Sequence, residues 1–579
     1  MKRIVFMIIA TLLVLGLVLP GCGATSTPPR DRPLVTGQIS IAVTGAISDI
    51  TGLNAWRGAT LAAQLINATG ISLNATPHYV KLVQVDTNEV QGLPDEGVTA
   101  LQAVINSVDF VVGGFRTESV SAYRTVAMSA KVIMFNCGAA TLRLQRSVNE
   151  NYPTYKYWFK ATPYNEIFLV TSMLKMVASA AGSLIGTMVY YNLTLGKTWI
   201  DPAYYPGFPP PAGAGSTLRV VIVGEALEWD DKLITIAQQK LPTLLSKKGI
   251  NMTVVATYKW SDKATETDIA TDMATIAGLK PHIIFTSFSG PVGKSYSKTR
   301  ASLGIPALSV GINVEGQQQG MLNFTSDGCL YDMMLDTYAW GCNETSLMAP
   351  FFNAYWGNFT PSDYPTYTAA TYDALYALKD AIETTSSMDP ALLIGRIETA
   401  QRTVTGAAKS AVYPSGTQYL GLTGSPPVKT WSLNSTQVLQ LYPFLNSTSV
   451  NGTTWGIVPG SENFTDVLNW TYYYNLWTTS GGFTAHDTVY GPAYQTGLGV
   501  QWQNLSGTIR KMCWWPNVPT GAPNATAFLP NPNNIISLFN ATTQANLWWL
   551  GVLDQYGYWA FQYPGTVAVV IPALWWFNP

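Results

Sequence analysis

Two short polar stretches stand where recognition of a small anion would need them. Thr117-Glu118-Ser119 follows Gly113-Gly114, and Ala139-Ala140-Thr141 follows Asn136-Cys137-Gly138. Each comes after an apolar run. Hydroxyls and backbone N–H groups at a helix start suit a carboxylate or another anion. Catalysis finds less support. His78, His282 and His486 are the only histidines and fall in three different predicted elements, whereas a triad needs its members together. Each reads as a surface or structural residue. No GxSxG, HExxH, Walker or EF-hand loop occurs. Glu225 and Glu228 are spaced like a glycosidase pair but read as a helix cap or a solvated turn. Arg116 and Glu118 read as a surface ion pair. Without a CxxC motif, zinc is not expected. No enzyme, metal or cofactor is expected.

The elements that must position these residues alternate. Residues 108–112 form an apolar, β-branched run of parallel-strand length, 120–131 a helical pattern, and 132–135 a second strand. Strands are also expected over 39–43, 79–85, 219–224, 252–258, 281–288 and 306–311, with a further one over 329–336. Helices are expected over 94–105, 167–181, 233–247 and 264–277, and another carries Leu61, Ala62, Leu65 and Ile66 at helical spacing. This order predicts doubly wound α/β sheets, which bind ligands at the carboxyl ends of their strands.

The chain has 579 residues, 47 % hydrophobic, enough for more than one domain. A net charge of −1 gives no reason to expect nucleic acid. Charged residues are only 12 %, a composition that suits an acidic exterior. Met1-Lys2-Arg3, an apolar run over 4–19 and Leu19-Pro20-Gly21-Cys22 read as an export signal. Its end resembles a lipobox, with Cys22 as the lipidated residue. Residues 23–36 are a tether. Fifteen Asn-x-Ser/Thr sequons, fourteen with Thr, together with the lipobox suggest a glycosylated cell-surface protein of archaeal type. Outside the cell, Cys329 and Cys342 could close a short disulfide loop, whereas a pairing of Cys137 with Cys513 cannot be deduced from the sequence.

VVGGFRTESVSAYRTVAMSAKVIMF is similar to the segment of type 1 periplasmic binding proteins in which "GpfsS" precedes a helix and a "vplisp" strand. The narrower resemblance is to the branched-chain amino acid and amide (leucine-binding-protein-like) receptors of ABC transporters. ISIAVTGAISDITGLNAWRGATLAAQLIN resembles that family's opening. Phe159 to Asn165 resembles its first crossover, Tyr372-Asp373-Ala374 its "yDA" helix, and Phe483 to Pro516 its closing hairpin. The matches cover about 37–408 and 483–516.

The resemblance implies an α/β fold of two Rossmann-like lobes joined by a hinge, with insertions and a C-terminal extension. Residues 1–22 would be the signal, 37–163 the first lobe and 164–310 the second, with an insertion at 184–218. Residues 311–408 would be shared between the lobes, with hinge crossings near Pro163 and Gly311 and again near the C-terminal end. An insertion at 415–482, the closing hairpin at 483–516 and an extension at 517–579 would follow. By position, Thr117, Ser119, Ala139, Ala140 and Thr141 match the family's ligand-carboxylate contacts. Asn165 and Asn313 stand at or near its acidic positions for an ammonium, and Phe288 at its aromatic wall. Glu166 or Glu315 would serve instead if the alignment slips. The implied function is extracytoplasmic capture of a small amino-acid-like or amide solute for an ABC permease, with membrane attachment through a lipid. A surface sensor or adhesive glycoprotein on the same fold is the alternative.

Overall fold

The computed structural model describes residues 37–90, 93–162, 164–174, 176–178, 180–181, 217–247, 251–340, 348–359, 364–399, 486, 498–505 and 508–515. The expected signal, lipobox and tether lie outside the described residues. So do the insertion at 184–218 apart from its last two residues, the one at 415–482, and the extension at 517–579.

Among the described residues there are two sheets. The first comprises β1 (Gln38–Gly45), β2 (Ile71–Leu73), β3 (Thr76–Asp86), β4 (Phe110–Gly113), β5 (Ile133–Asn136) and β6 (Trp158–Lys160). The second comprises β7 (Thr217–Glu225), β8 (Asn251–Trp260), β9 (Ile283–Phe288), β10 (Leu308–Asn313), β11 (Met333–Asp336), β12 (Leu498–Leu505) and β13 (Thr508–Trp515). The helices used below are α1 (Ile50–Asn67), α2 (Pro94–Val104), α3 (Thr117–Ser129), α4 (Leu142–Glu150), α5 (Glu228–Lys247), α6 (Glu266–Gly278), α7 (Val292–Ser302), α8 (Met348–Asn358), α9 (Thr371–Thr385) and α10 (Pro390–Thr399). This is the two-sheet α/β fold that the resemblance implied.

The first sheet has the order β2-β3-β1-β4-β5-β6, parallel except where β2 meets β3. The second has the order β13-β12-β11-β10-β9-β7-β8, with β12 and β13 antiparallel at one edge. Strands β4, β5, β9 and β10 are buried along their whole length. Burial on both faces is why they read as continuous apolar runs without alternation. Order reverses between β1 and β4 in the first sheet, and between β7 and β9 in the second. These are the two topological switch points.

The crossings differ in part from expectation. Strand β10 spans residues 310 and 311, so the expected boundary there falls inside a strand of the second sheet. The chain leaves that sheet only after β11. Helices α8, α9 and α10 then supply Phe351, Leu375, Ile382 and Leu393 to the core of the first sheet. Close packing of α9 on α1 is fixed by Thr371 Oγ1 donating to Ala55 O, at 2.7 Å. The chain returns to the second sheet as β12 and β13.

Side chains bind these passages together. Lys511 of β13 pairs with Asp336 of β11, both fully buried, and also donates to Gln317 O at 2.9 Å. Tyr164, on the way out of the first sheet, donates to Asp336 O at 2.6 Å. His486 stacks on Phe159 at 4.0 Å and faces Glu398 at 2.6 Å. Like His78 and His282, it is buried, which agrees with a structural reading of all three. Cys137 is a free buried thiol, so the pairing with Cys513 does not form. Cys329 is likewise a free buried thiol, and Cys342 lies outside the described residues.

Candidate functional site

The two switch points face each other. At the first, β4 ends in Gly113 and Gly114 follows it, with φ of +116° and +86°. A Cβ on Gly113 would lie 2.1 Å from Thr44 O. Only glycine fits both the dihedral and the approach of β1. The turn delivers Phe115, Arg116 and Thr117 to the start of α3. Glu89 holds it from behind, accepting from the N–H groups of Phe115 and Arg116, each at 3.1 Å.

At the second switch point, Glu225 ends β7 and Ser289 and Gly290 follow β9. Glu225 is fully buried and accepts from the backbone N–H groups of Ser289 (2.9 Å) and Gly290 (3.0 Å). Asp230, in the first turn of α5, accepts from Glu225 N at 2.7 Å. The expected helix cap or solvated turn is thus corrected for Glu225 and kept for Glu228, which stands exposed in the first turn of α5. Glu225 closes a buried turn between strands, while Glu228 pairs with Arg143.

A cavity of about 340 Å³, counted with the space at its mouth, lies between the sheets. Phe115, Arg116, Thr117, Gly138 and Ala140 come from the first sheet's side. Leu169, Trp229, Ser289, Ile312 and Val314 come from the second, and Tyr367 from the connecting passage. One apolar cluster runs across it, joining Ala46, Phe115 and Ala140 to Leu169, Trp229 and Val314.

Arg116 is the central polar group. It is only 6 % exposed and its Nη1 donates to Asp262 Oδ2 at 3.0 Å, across the cleft. The expected surface pair with Glu118 is therefore wrong. Burial of the guanidinium against the opposite lobe outweighs its nearness in sequence to Glu118. Glu118 instead accepts from Glu228 N at 3.3 Å. Arg143 of α4 makes a two-bond contact to Glu228 of α5, at 2.7 and 2.9 Å, on the rim.

The surrounding carboxyls are strained upward in pKa. Burial raises Glu89 to about 7 against the pull of the Phe115 and Arg116 N–H groups. Burial, with help from Asp49, raises Glu315 to about 7 although Lys294 sits 2.9 Å away. Glu225 and Glu166 are raised by burial too, opposed first by Arg116 and Lys232 respectively.

The residues expected from sequence divide into two groups. Thr117 and Ala140 line the cavity. Thr141 meets Thr117 through their hydroxyls at 2.8 Å, and Ser119 and Ala139 are buried close by in sequence. The other three are engaged elsewhere. Asn165 Oδ1 accepts from the N–H groups of Ile167 and Phe168, capping the helical turns of residues 166–174. Phe288 is not among the cavity's lining residues. It stacks on Trp260 at 5.8 Å within the apolar layer formed with α6 and α7. Asn313 donates to Gly293 O at 3.0 Å and accepts from Gly316 N at 3.3 Å, tying α7 to the end of β10. Arg116, Trp229, Ser289 and Tyr367 were not anticipated. Their only sequence signal is adjacency to strand ends.

No protein-family model matches the chain, and no curated protein does. Solved structures do. A solute-binding protein of an ABC transporter from Rhodopseudomonas palustris BisB5, in complex with 3,4-dihydroxybenzoic acid, is 14 % identical with a TM-score of 0.50, covering 83 % of this chain and 96 % of that one. One from R. palustris HaA2 with p-hydroxybenzoic acid is 18 % identical at 0.47, covering 64 % and 87 %. A branched-chain amino acid transporter substrate-binding protein from Streptococcus pneumoniae with isoleucine is 15 % identical at 0.45, covering 64 % and 91 %. At these identities the likeness is one of fold. The fold is that of the ABC-transporter solute-binding proteins of leucine-binding type. No helix among the described residues is long and apolar enough to cross a membrane.

Proposed function

We propose that this chain is an extracytoplasmic solute-binding protein that closes on a small organic solute and presents it to an ABC permease. The observation that carries this is the cavity lined from both sheets at facing switch points, spanned by Arg116–Asp262 and rimmed by Arg143–Glu228. A solute in that cavity touches both lobes only when they are together, so it favours the closed form. Thr117 and Ala140, which line the cavity, and Thr141, bonded to Thr117, are the expected contacts that support this reading. A protein of this fold in complex with 3,4-dihydroxybenzoic acid supports a small organic solute.

Small-angle X-ray scattering tests the mechanism. Addition of a bound solute should lower the radius of gyration. A solute that binds tightly and leaves it unchanged would remove the closing-lobe account.

Export and anchoring through Cys22 belong to the same reading, as does glycosylation. Asn74, Asn251, Asn323 and Asn358 are exposed sequons, whereas the Asn67 amide is engaged with Val80. Cys22→Ser should abolish metabolic labelling by fatty acids, and unchanged labelling would rule out this anchor.

A further inference from the structure

Three polar atoms on cavity-lining residues are buried without a hydrogen-bond partner: Arg116 Nε, Arg116 Nη2 and Trp229 Nε1. All three are donors. A buried donor left unpaired is costly, so each marks a place where an acceptor is missing. The two Arg116 atoms form one edge of the guanidinium. Since Nη1 is held by Asp262, this edge is the one left free for two parallel bonds to a carboxylate. Nη2 packs closely against Gly290, where a Cβ would come within 2.7 Å of it, so only glycine admits the guanidinium at this place.

Acceptors show the opposite pattern. No carboxylate is among the cavity's lining residues. Glu225 is occupied by Ser289 and Gly290, Glu166 by Leu142 N–H and Lys232, and Glu315 by Lys294. Glu89 has one oxygen without a partner, but it lies behind the Phe115–Arg116 backbone and does not line the cavity. The remaining walls, from Phe115, Leu169, Ile312, Val314 and Tyr367, are apolar or aromatic. An ammonium brought here would be buried without an anion.

Resting on the solute-binding reading, we infer that the solute is a monocarboxylate with an apolar body and no ammonium, its carboxylate clamped by the Nε–Nη2 edge of Arg116 and a second acceptor met by Trp229 Nε1. Arg116 then has two partners, Asp262 and the solute. The solute binds the same side chain that bridges the lobes, which ties capture to closure.

The test is calorimetry at one pH with two isosteric series: isocaproate, isocaproamide and leucine, and phenylpropanoate, phenylpropanamide and phenylalanine. In at least one series the carboxylate should bind about tenfold or more tightly than its amide and its amino acid. Arg116→Met should weaken the carboxylate about a hundredfold and erase that preference, and Trp229→Phe should weaken it less. Asp262→Asn, which leaves the free edge intact, should weaken it less than Arg116→Met. If Arg116→Met does not fold by circular dichroism, Arg116→Lys decides instead: it keeps the charge, lacks the fork and should lose most of the preference. Tight amide or amino-acid binding untouched by either Arg116 variant overturns this inference while keeping the solute-binding reading. Failure of all six compounds to bind overturns both.

Discussion

At the scale of single residues, the site is a set of donors around apolar walls. Thr117 is placed twice over, by its position at the first turn of α3 and by its hydroxyl contact with Thr141 at 2.8 Å. One of the two hydroxyls donates to the other, so one proton is left for a solute. Removing one hydrogen bond to a charged group costs roughly 1.5–3 kcal/mol. Thr117→Val should therefore weaken carboxylate binding about tenfold or more by calorimetry. An unchanged dissociation constant would take Thr117 out of the site. The order of residues in VVGGFRTES made this corner legible in the sequence, because two glycines between a strand and a helix have few other uses. The role of Arg116 was not legible. Its environment is made by Asp262 and Gly290, more than a hundred residues further on, and nothing local distinguishes a buried arginine from a solvated one.

Elements explain why other expected residues moved out of the site. Phe288 ends β9, where a ring can face either side of the sheet. It faces the layer holding Trp260, Tyr296 and Ile269. Phe288→Ala should then behave as a core truncation, costing about 3–5 kcal/mol, seen as a lower denaturant midpoint. A variant of wild-type stability with weakened solute binding would restore Phe288 to the cleft wall. Strand and helix order was readable because buried parallel strands leave continuous apolar runs. The short β2–β3 hairpin was missed. Its turn residues, Asn74 and Ala75, have φ of 52° and 61°, and alanine gives no warning of a left-handed conformation. Residue 311 looked like a lobe crossing because an α/β chain alternates monotonously there, and only the pairing of β10 with β11 shows that the sheet continues.

For the whole molecule, buried carboxyls set the response to pH. Glu89 and Glu315 are held at about 7, against an ordinary 4.5, and Asp332 at about 6, against 3.8, each chiefly by burial. The folded state thus keeps protons that the unfolded chain has released, so these groups make stability fall as pH rises from about 4.5 to about 7. His282 works in the other direction: burial lowers it to about 3 from 6.5, so the unfolded chain takes up its proton below about 6.5. Three carboxyls against one imidazole leave the first effect in control. Each net proton contributes roughly 1.4 kcal/mol per pH unit. The melting midpoint, measured without solute, should be higher near about pH 5 than near about pH 7.5. The reverse order would mean that the buried carboxyls are ionised in the folded state.

The central claim is that the closed cleft holds one small organic solute. The direct measurement is native mass spectrometry of the purified protein after incubation with a low-molecular-weight extract of the cells that make it. The expected spectrum shows one added small molecule per chain, lost on unfolding and much reduced in Arg116→Met. A spectrum of the bare chain alone, from protein shown to be folded, would contradict the account.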